Sequence, residues 1–245
     1  MDGKALEDIA PSVIIMDITE DAPNISVTTE GKPGGGMYIT GQVRQSITVK
    51  ISVEIHEPSV FMRQDALSRV FRWAHGGHYL TTSIREGQRL YIDSVELPSV
   101  SALKWTEAAE ITLTAYQRPW WEESRANVAH STETQSGTIT LVNRGDLDSP
   151  LDATITAAGA ITSVSVSCDN QKIALTNINV AAGEKIRFWH DDNGIQSIEA
   201  AGESAMGNRN GQSDDEIMLK PGINKIAFSA DGNAVFAFRV RGRKY

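Results

Sequence analysis

Few residues of this chain have the types and spacings that catalysis requires. The 245 residues include five histidines and one cysteine. None lies in a GxSxG, HExxH, paired-cysteine or Walker motif, the patterns that indicate hydrolysis, zinc binding or nucleotide binding. Glu199 and Glu203 could hydrolyse a glycoside only as a pair at a fixed separation, which the sequence does not define. The residues therefore predict no enzyme, no catalytic residue, no cofactor and no bound metal.

The remaining motifs favour structural interpretations. "GKPGGG" at residues 31–36 lacks the Lys-Ser/Thr ending and the following helix of a phosphate loop, which favours a flexible hairpin. In "WHDDNGIQ" (189–196) the acids are adjacent, whereas a calcium loop alternates them, so a turn is favoured. His75 and His78 flank a helix end, and a metal there would need a third ligand. Cys168 cannot form an intramolecular disulfide and is interpreted as a small core residue.

Hydrophobic alternation predicts the elements that position these residues. "SITVKISVEIHE" (46–57) and "AEITLTAY" (109–116) alternate with period two, which is typical of half-buried strands. Between them a helix is predicted over about 59–75, beginning after Pro58 and ending at Gly76-Gly77. Its inward face is predicted to hold Phe61, Leu67, Val70, Phe71 and Ala74, and its outward face Arg63, Gln64, Ser68 and Arg72.

The pattern changes near residue 125 and indicates two mainly β domains. Residues 1–125 form the first domain, and residues 126–136 lack periodicity and are interpreted as a linker. Residues 137–245 show short strands separated by Gly or Asn turns, among them Asp231-Gly232-Asn233 between "INKIAFSA" and "AVFAFRVRG". This spacing predicts an antiparallel β-sandwich of jelly-roll or lectin type.

An aromatic pair closes the first domain. Pro119 cannot continue a central strand, and Trp120 and Trp121 follow it. The two rings are interpreted as a plug that anchors the departing chain, or alternatively as part of a subunit or domain interface. The net charge of −8 disfavours nucleic-acid binding as the main function. The N-terminal residues fit neither a signal peptide nor a membrane span.

Taken together, these features resemble the distal tail protein family of long-tailed, non-contractile (siphovirus-type) bacteriophages and prophages. The resemblance is carried by "VKISVEIHEPSVFMRQDALSRVFRWAHGGHYLTTSIREGQRLYI", "ITLTAYQRPWWEE", "GTITLVNRGDLDSPLDATITAAG" and "IMLKPGINKIAFSADGNAVFAFRVRGRKY", and it covers nearly the whole chain. It implies a β-sandwich-like N-terminal ring domain with one α-helix, and a C-terminal galectin-like antiparallel β-sandwich.

The resemblance also implies a function. The chain would be a structural hub of the tail tip or baseplate, made in the host cytoplasm and located at the distal end of the virion tail. It would form a hexameric ring that joins the tail tube to the tail-tip and receptor-binding proteins, with DNA passing only through the lumen and no membrane partner. The Gly-rich arm at residues 30–46 would reach a neighbouring copy. The expected interface residues are Met37, Tyr38, Ile39, Trp120 and Trp121.

Two other functions remain open at this point. The C-terminal sandwich could act as a carbohydrate-binding adhesion module in which a sugar stacks on Trp189. His190 follows directly and would point to the opposite face of the strand, which weakens that interpretation. A tail-tip hydrolase is the third alternative, with no defined carboxylate pair to support it.

Overall fold

Strands dominate the computed structural model, which describes residues 1–21, 24–32, 37–97, 106–191 and 194–245. Residues 33–36 of the predicted "GKPGGG" hairpin and two residues of the predicted "WHDDNGIQ" turn, Asp192 and Asn193, lie outside the described residues. The chain divides into two compact units, Met1–Trp121 and Glu122–Tyr245. The mainly β fold predicted from the alternation is confirmed.

The first unit is built around one long strand. Its helices and strands are α1 (Leu6–Ile9), β1 (Val13–Glu20), β2 (Asn24–Gly31), β3 (Met37–His56), α2 (Val60–His75), β4 (Tyr79–Leu80), β5 (Gln88–Tyr91), β6 (Ser94–Glu96) and β7 (Thr106–Ala115). A further strand, β8 (Trp121–Glu123), begins at the last residue of this unit. The main sheet has the order β1-β3-β7-β6, and β2 pairs with the remaining part of β3.

The core of this unit lies on one face of β3. Alternate residues from Ile47 to Ile55 are buried, as the period-two pattern predicts. They are held in register by β7, with Ile47 opposite Ala115 and Ile51 opposite Ile111. Burial of these β-branched side chains stabilises the sheet, because each removes apolar surface from water.

Helix α2 has the predicted bounds but a different buried face. The Ser59 hydroxyl accepts a hydrogen bond from the Met62 backbone N–H (3.1 Å), which caps the helix start. The side chains it buries are Arg63, Ala66, Leu67, Val70, Trp73 and Ala74. The prediction that Phe61 and Phe71 face inward is wrong, because Phe61 is 79% exposed and Phe71 is also exposed. The prediction that Arg63 faces outward is also wrong, because its side chain is buried. There Arg63 Nη1 donates to the Glu57 carbonyl (3.0 Å).

Trp121 anchors the end of the first unit in its core, as the sequence predicted. Its ring is buried in the core of the first unit, and its indole Nε1 donates to Glu20 Oε1 at 3.1 Å. Arg85 donates to both oxygens of the same carboxylate, from Nε at 2.9 Å and from Nη2 at 3.0 Å. The end of β1 is thereby fastened to the residue that closes the unit, because a bidentate, charge-assisted pair fixes orientation as well as distance.

The second unit consists of short strands around a second long one. Its strands are β9 (Asn127–His130), β10 (Thr134–Asn143), β11 (Ser149–Ala157), β12 (Val164–Cys168), β13 (Gln171–Leu175), β14 (Lys185–His190), β15 (Gln196–Ala200), β16 (Glu203–Ser204), β17 (Met218–Leu219), β18 (Gly222–Val240) and β19 (Arg243–Lys244). The antiparallel sheet runs β13-β12-β18-β11-β14-β15-β16, with β9 and β10 also on β18 and β17 on β11.

Two sequence interpretations of this unit need correction. Residues 126–136 are not a linker, because they contain β9, which pairs with β18, and the first residues of β10. Asp231-Gly232-Asn233 is not a turn between two strands, because β18 continues through it. The first part of β18 pairs with β10 and β12, and the second with β9 and β11. One strand therefore serves two sets of partners, with the Asp-Gly-Asn sequence at the change.

The point of change is held by close packing. The Asn233 carbonyl accepts the N–H of Ala158 (2.8 Å), and the Asp231 carboxylate accepts the N–H groups of Thr162 and Ser163. A Cβ atom on Gly232 would overlap the carbonyl oxygen of Ala160. Glycine is therefore required here by the close approach of two backbones.

We expect Gly232→Ala to lower the free energy of unfolding by about 1–3 kcal/mol, because the added methyl group must displace the Ala160 backbone. The matched control is Gly159→Ala in the adjacent loop, where an added Cβ has no atom within 4 Å. Urea unfolding monitored by circular dichroism compares the two. Equal midpoints for Gly232→Ala and Gly159→Ala would refute the packing argument.

We expect Trp121→Phe to destabilise the first unit by about 1–3 kcal/mol, since it removes the indole donor to the partly buried Glu20 carboxylate. Tyr116→Phe is the control, because its ring is exposed and loss of its hydroxyl should change stability by less than about 0.5 kcal/mol. Thermal unfolding of the two variants provides the measurement. A Trp121→Phe protein as stable as the control would show that the hydrogen bond is not structural.

Candidate assembly surface

The outer half of β3 forms a two-stranded hairpin with β2. The pairs run from Asn24 opposite Ser46 to Gly31 opposite Met37. Strand β1 pairs with β3 only from Val49 to Ile55, and β7 pairs with it only from Ile47 to His56, so neither reaches the hairpin. The prediction of an extended hairpin or arm is confirmed, and this hairpin (24–32 and 37–46) is called the arm below.

The end of the arm exposes three large side chains in succession. Met37 is 70% exposed, Tyr38 54% and Ile39 63%. Lys32 Nζ lies 4.3 Å from the centroid of the Tyr38 ring, a cation–π contact across the hairpin. Side chains alternate along a strand, so Met37 and Ile39 share one face and Tyr38 lies on the other. Each face therefore exposes large apolar side chains, a feature of interaction sites.

Both faces of the arm carry apolar side chains. Val43 lies opposite Ser26 and shares its face, because directly paired residues of antiparallel strands point the same way. Ile25 and Val27 flank Ser26 and therefore lie on the other face. All three apolar side chains are exposed. Between Ile25 and Ser46, none of the side chains whose exposure the structure describes is buried. The arm thus has no core of its own.

The edges of the arm are also open. Within the described residues, β2 pairs only with β3, and no strand other than β2 pairs with β3 between Met37 and Ser46. The register shifts between Thr28 and Thr29, where the Thr40 hydroxyl donates to the Thr28 carbonyl (3.2 Å). An isolated two-stranded hairpin is marginal in water, and unpaired strand edges are sites where another chain can pair.

Further exposed apolar residues of the first unit lie outside the arm and were not identified from the sequence. Among them are Ile14 and Met16 on the edge strand β1, and Phe61 and Phe71 on α2. Sequence reasoning also missed Ile25 and Val27, although "NISVTTE" shows the alternation of a strand. That signal was masked by the polar, Gly-rich sequence that follows.

The two predicted tryptophans differ from the arm residues. Trp120 is half-buried, and Trp121 is 0% exposed. The assignment of Trp121 to a subunit interface is corrected, because a ring in the core of its own unit presents no surface to another copy. Met37, Tyr38 and Ile39 lie together, and the structure does not bring Trp121 to them.

The candidate chemical residues have structural environments. Within the described ranges, no three His, Cys, Asp or Glu side chains gather as metal ligands would. His75 stacks on Phe71 and His78 on Tyr91. Cys168 is buried, as predicted, and burial raises the pKa of its thiol. Strands β14 and β15 pair on either side of the "WHDDNGIQ" turn, with Asp191 Oδ1 accepting the Ile195 N–H at 2.9 Å.

No helix in the described parts of the chain combines the length and apolar character needed to cross a bilayer. No protein-family model and no curated protein sequence matches the chain.

The chain is nevertheless similar to solved phage structures. The SPP1 Dit protein, described as a paradigm of the hub adsorption apparatus in phages that infect Gram-positive bacteria, superposes with a TM-score of 0.73 and 13% identity. The match covers 98% of this chain and 96% of that one.

Chains of the phage P2 baseplate in its activated conformation are also similar. The structure with calcium superposes with a TM-score of 0.50 and 9% identity, and the match covers 92% of this chain and 90% of that one. The structure with strontium superposes with a TM-score of 0.50 and 10% identity, and the match covers 94% of this chain and 90% of that one. The chain therefore has, along nearly its whole length, the mainly β fold of the SPP1 hub protein.

Proposed function

We propose that this protein is a structural hub of a siphovirus-type phage tail tip or baseplate, located at the distal end of the tail. The proposal is supported by the fold it shares with the SPP1 hub protein over 98% of the chain. It is also supported by the arm, because a hub acts through surfaces that fit copies of itself and other virion proteins.

The arm is the proposed contact between neighbouring copies. It has apolar side chains on both faces, unpaired edges in its described part and no core, so it gains stability when another chain covers it. Met37, Tyr38 and Ile39 at its end, together with the half-buried Trp120, are the proposed interface residues. A contact in which each copy reaches for the next is head-to-tail, and it closes into a ring when the rotation between successive copies adds up to a full turn. Six copies is the number implied by the family resemblance.

The ring would join the tail tube on one side to the tail-tip and receptor-binding proteins on the other. The net charge of −8 suits a passage through which DNA slides without binding, since like charges repel. The role is one of surface fit and involves no chemical step. The C-terminal unit, proposed to be galectin-like, would project from the ring as a platform.

We expect the purified chain to form closed rings, and the variant Met37→Ser/Tyr38→Ser/Ile39→Ser to remain monomeric. The substitutions remove exposed apolar surface that no core residue of the same chain covers, so they should weaken assembly and leave folding intact. Mass photometry over a concentration series and negative-stain images measure assembly, and thermal unfolding measures folding.

Ile223→Ser is the matched control, because Ile223 is 76% exposed but lies in the second unit. This variant should assemble like the parent chain. A parent chain that stays monomeric at high concentration and joins no tail-tube protein would refute the hub proposal. Rings formed equally well by the triple variant would refute the role of the arm.

A further inference from the structure

A groove crosses the outer face of the sheet in the second unit. It spans strands β9, β18, β11 and β14, and the last three bury Phe238, Ala153 and Phe188, respectively, in the core. Their neighbours alternate to the opposite face, where Asp152 lies opposite Arg239 and Thr154 opposite both Ala237 and Arg187. These residues therefore form a layer that the core does not use.

The shape of the groove follows from side-chain size. Ala237 and Thr154, in the two middle strands, are small and half-buried and form its floor. Val128 on one side and Arg187 and Trp189 on the other are larger and form its walls. The groove is open to solvent and has a volume of about 520 Å³, within the range of about 300–1,000 Å³ that is usual for small-molecule sites.

One carboxylate in the groove is held in place by its neighbours. Asp152 Oδ2 accepts from Arg239 Nη2 at 2.8 Å, and its Oδ1 lies 3.1 Å from His190 Nδ1. His190 Nε2 in turn lies 3.3 Å from Glu216 Oε2. Burial raises the pKa of Asp152, but the hydrogen bonds and charges of His190 and Arg239 outweigh it and lower the pKa overall. Asp152 is therefore charged, and it neutralises Arg239.

Positive charge remains on the same face. Lys185 and Arg187 are exposed, and no carboxylate oxygen of the described residues lies within 4.0 Å of either side-chain charge. Glu199 is opposite Arg187 on β15 but forms no ion pair with it among the described side chains. In a chain with net charge −8, these two cations make the groove locally attractive to an anion.

We propose that this groove binds an acidic saccharide. The face of a sugar ring packs on the Trp189 indole, which lines the groove beside Arg187. The carboxylate or phosphate of the sugar pairs with Arg187, whose guanidinium can donate two parallel hydrogen bonds, and with Lys185. Asp152, fixed by Arg239, accepts a sugar hydroxyl. This site is independent of the arm and of ring assembly.

The test measures binding of digalacturonic acid to the full chain by isothermal titration calorimetry, with lactose as the neutral disaccharide and inorganic phosphate as the bare anion. We expect digalacturonic acid to bind at least about tenfold tighter than lactose, because only it can pair with Arg187. Arg187→Gln should weaken its binding by about tenfold or more and leave lactose unaffected.

Lys225→Gln is the matched control, because it removes one exposed cation from β18 outside the groove and should leave binding unchanged. Trp189→Ala should abolish binding, and Trp189→Phe should retain part of it, since a smaller ring still stacks. Should Trp189→Ala fail to fold, Arg187→Gln decides, because Arg187 is exposed. Equal binding of digalacturonic acid and lactose, equal effects of Arg187→Gln and Lys225→Gln, or phosphate binding as tight as the disaccharide (an adventitious ion only) would each overturn the proposal.

Discussion

The first unit depends on the way strand β3 changes partners along its length. From Ile47 to His56 it lies between β1 and β7, its backbone groups are paired and its alternate side chains form the core. From Met37 to Ser46 it pairs with β2 alone and buries no side chain whose exposure is described. A single strand thus supplies both the element that stabilises the unit and the element that lacks partners. The paired half thus anchors the half that has β2 as its one described partner.

Ionic groups in both units serve architecture. Glu20 joins Arg85 and Trp121 where the first unit ends, and Asp231 accepts the N–H groups of Thr162 and Ser163 where β18 changes partners. The Asp2 carboxylate likewise accepts the backbone N–H groups of His78 and Tyr79. Burial raises the pKa of Asp2, but these hydrogen bonds help to lower it overall. Carboxylates engaged in this way fix loops to strands, which is what a protein that acts through its surfaces requires.

The sequence predicts the parts of the fold that local rules determine. The alternation around Ile51 predicts the core strand, and Ser59 and Gly76 delimit α2, since period and capping are local properties. The buried face of α2 was mispredicted because its apolar residues surround much of the helix, and only tertiary packing selects among them. β9 and the continuity of β18 were missed for a related reason. Polar residues and an Asp-Gly-Asn sequence look like a linker and a turn until distant strands pair with them. The arm was anticipated from its glycines, but its two apolar faces depend on a register that only the pairing reveals.

The open edges of the arm also bear on how an assembly of such copies ends. When each arm is taken up by the next copy, every addition leaves one vacant site and one free arm at the two extremities, so growth has no intrinsic stopping point. Growth stops only if the rotation between successive copies brings the last copy into contact with the first. A small change in the angle at which β2 and β3 leave the sheet would convert a closed annulus into an open helical filament. In the proposed assembly, the geometry of the junction near Ile47, where the strand enters the core, would therefore set the number of subunits.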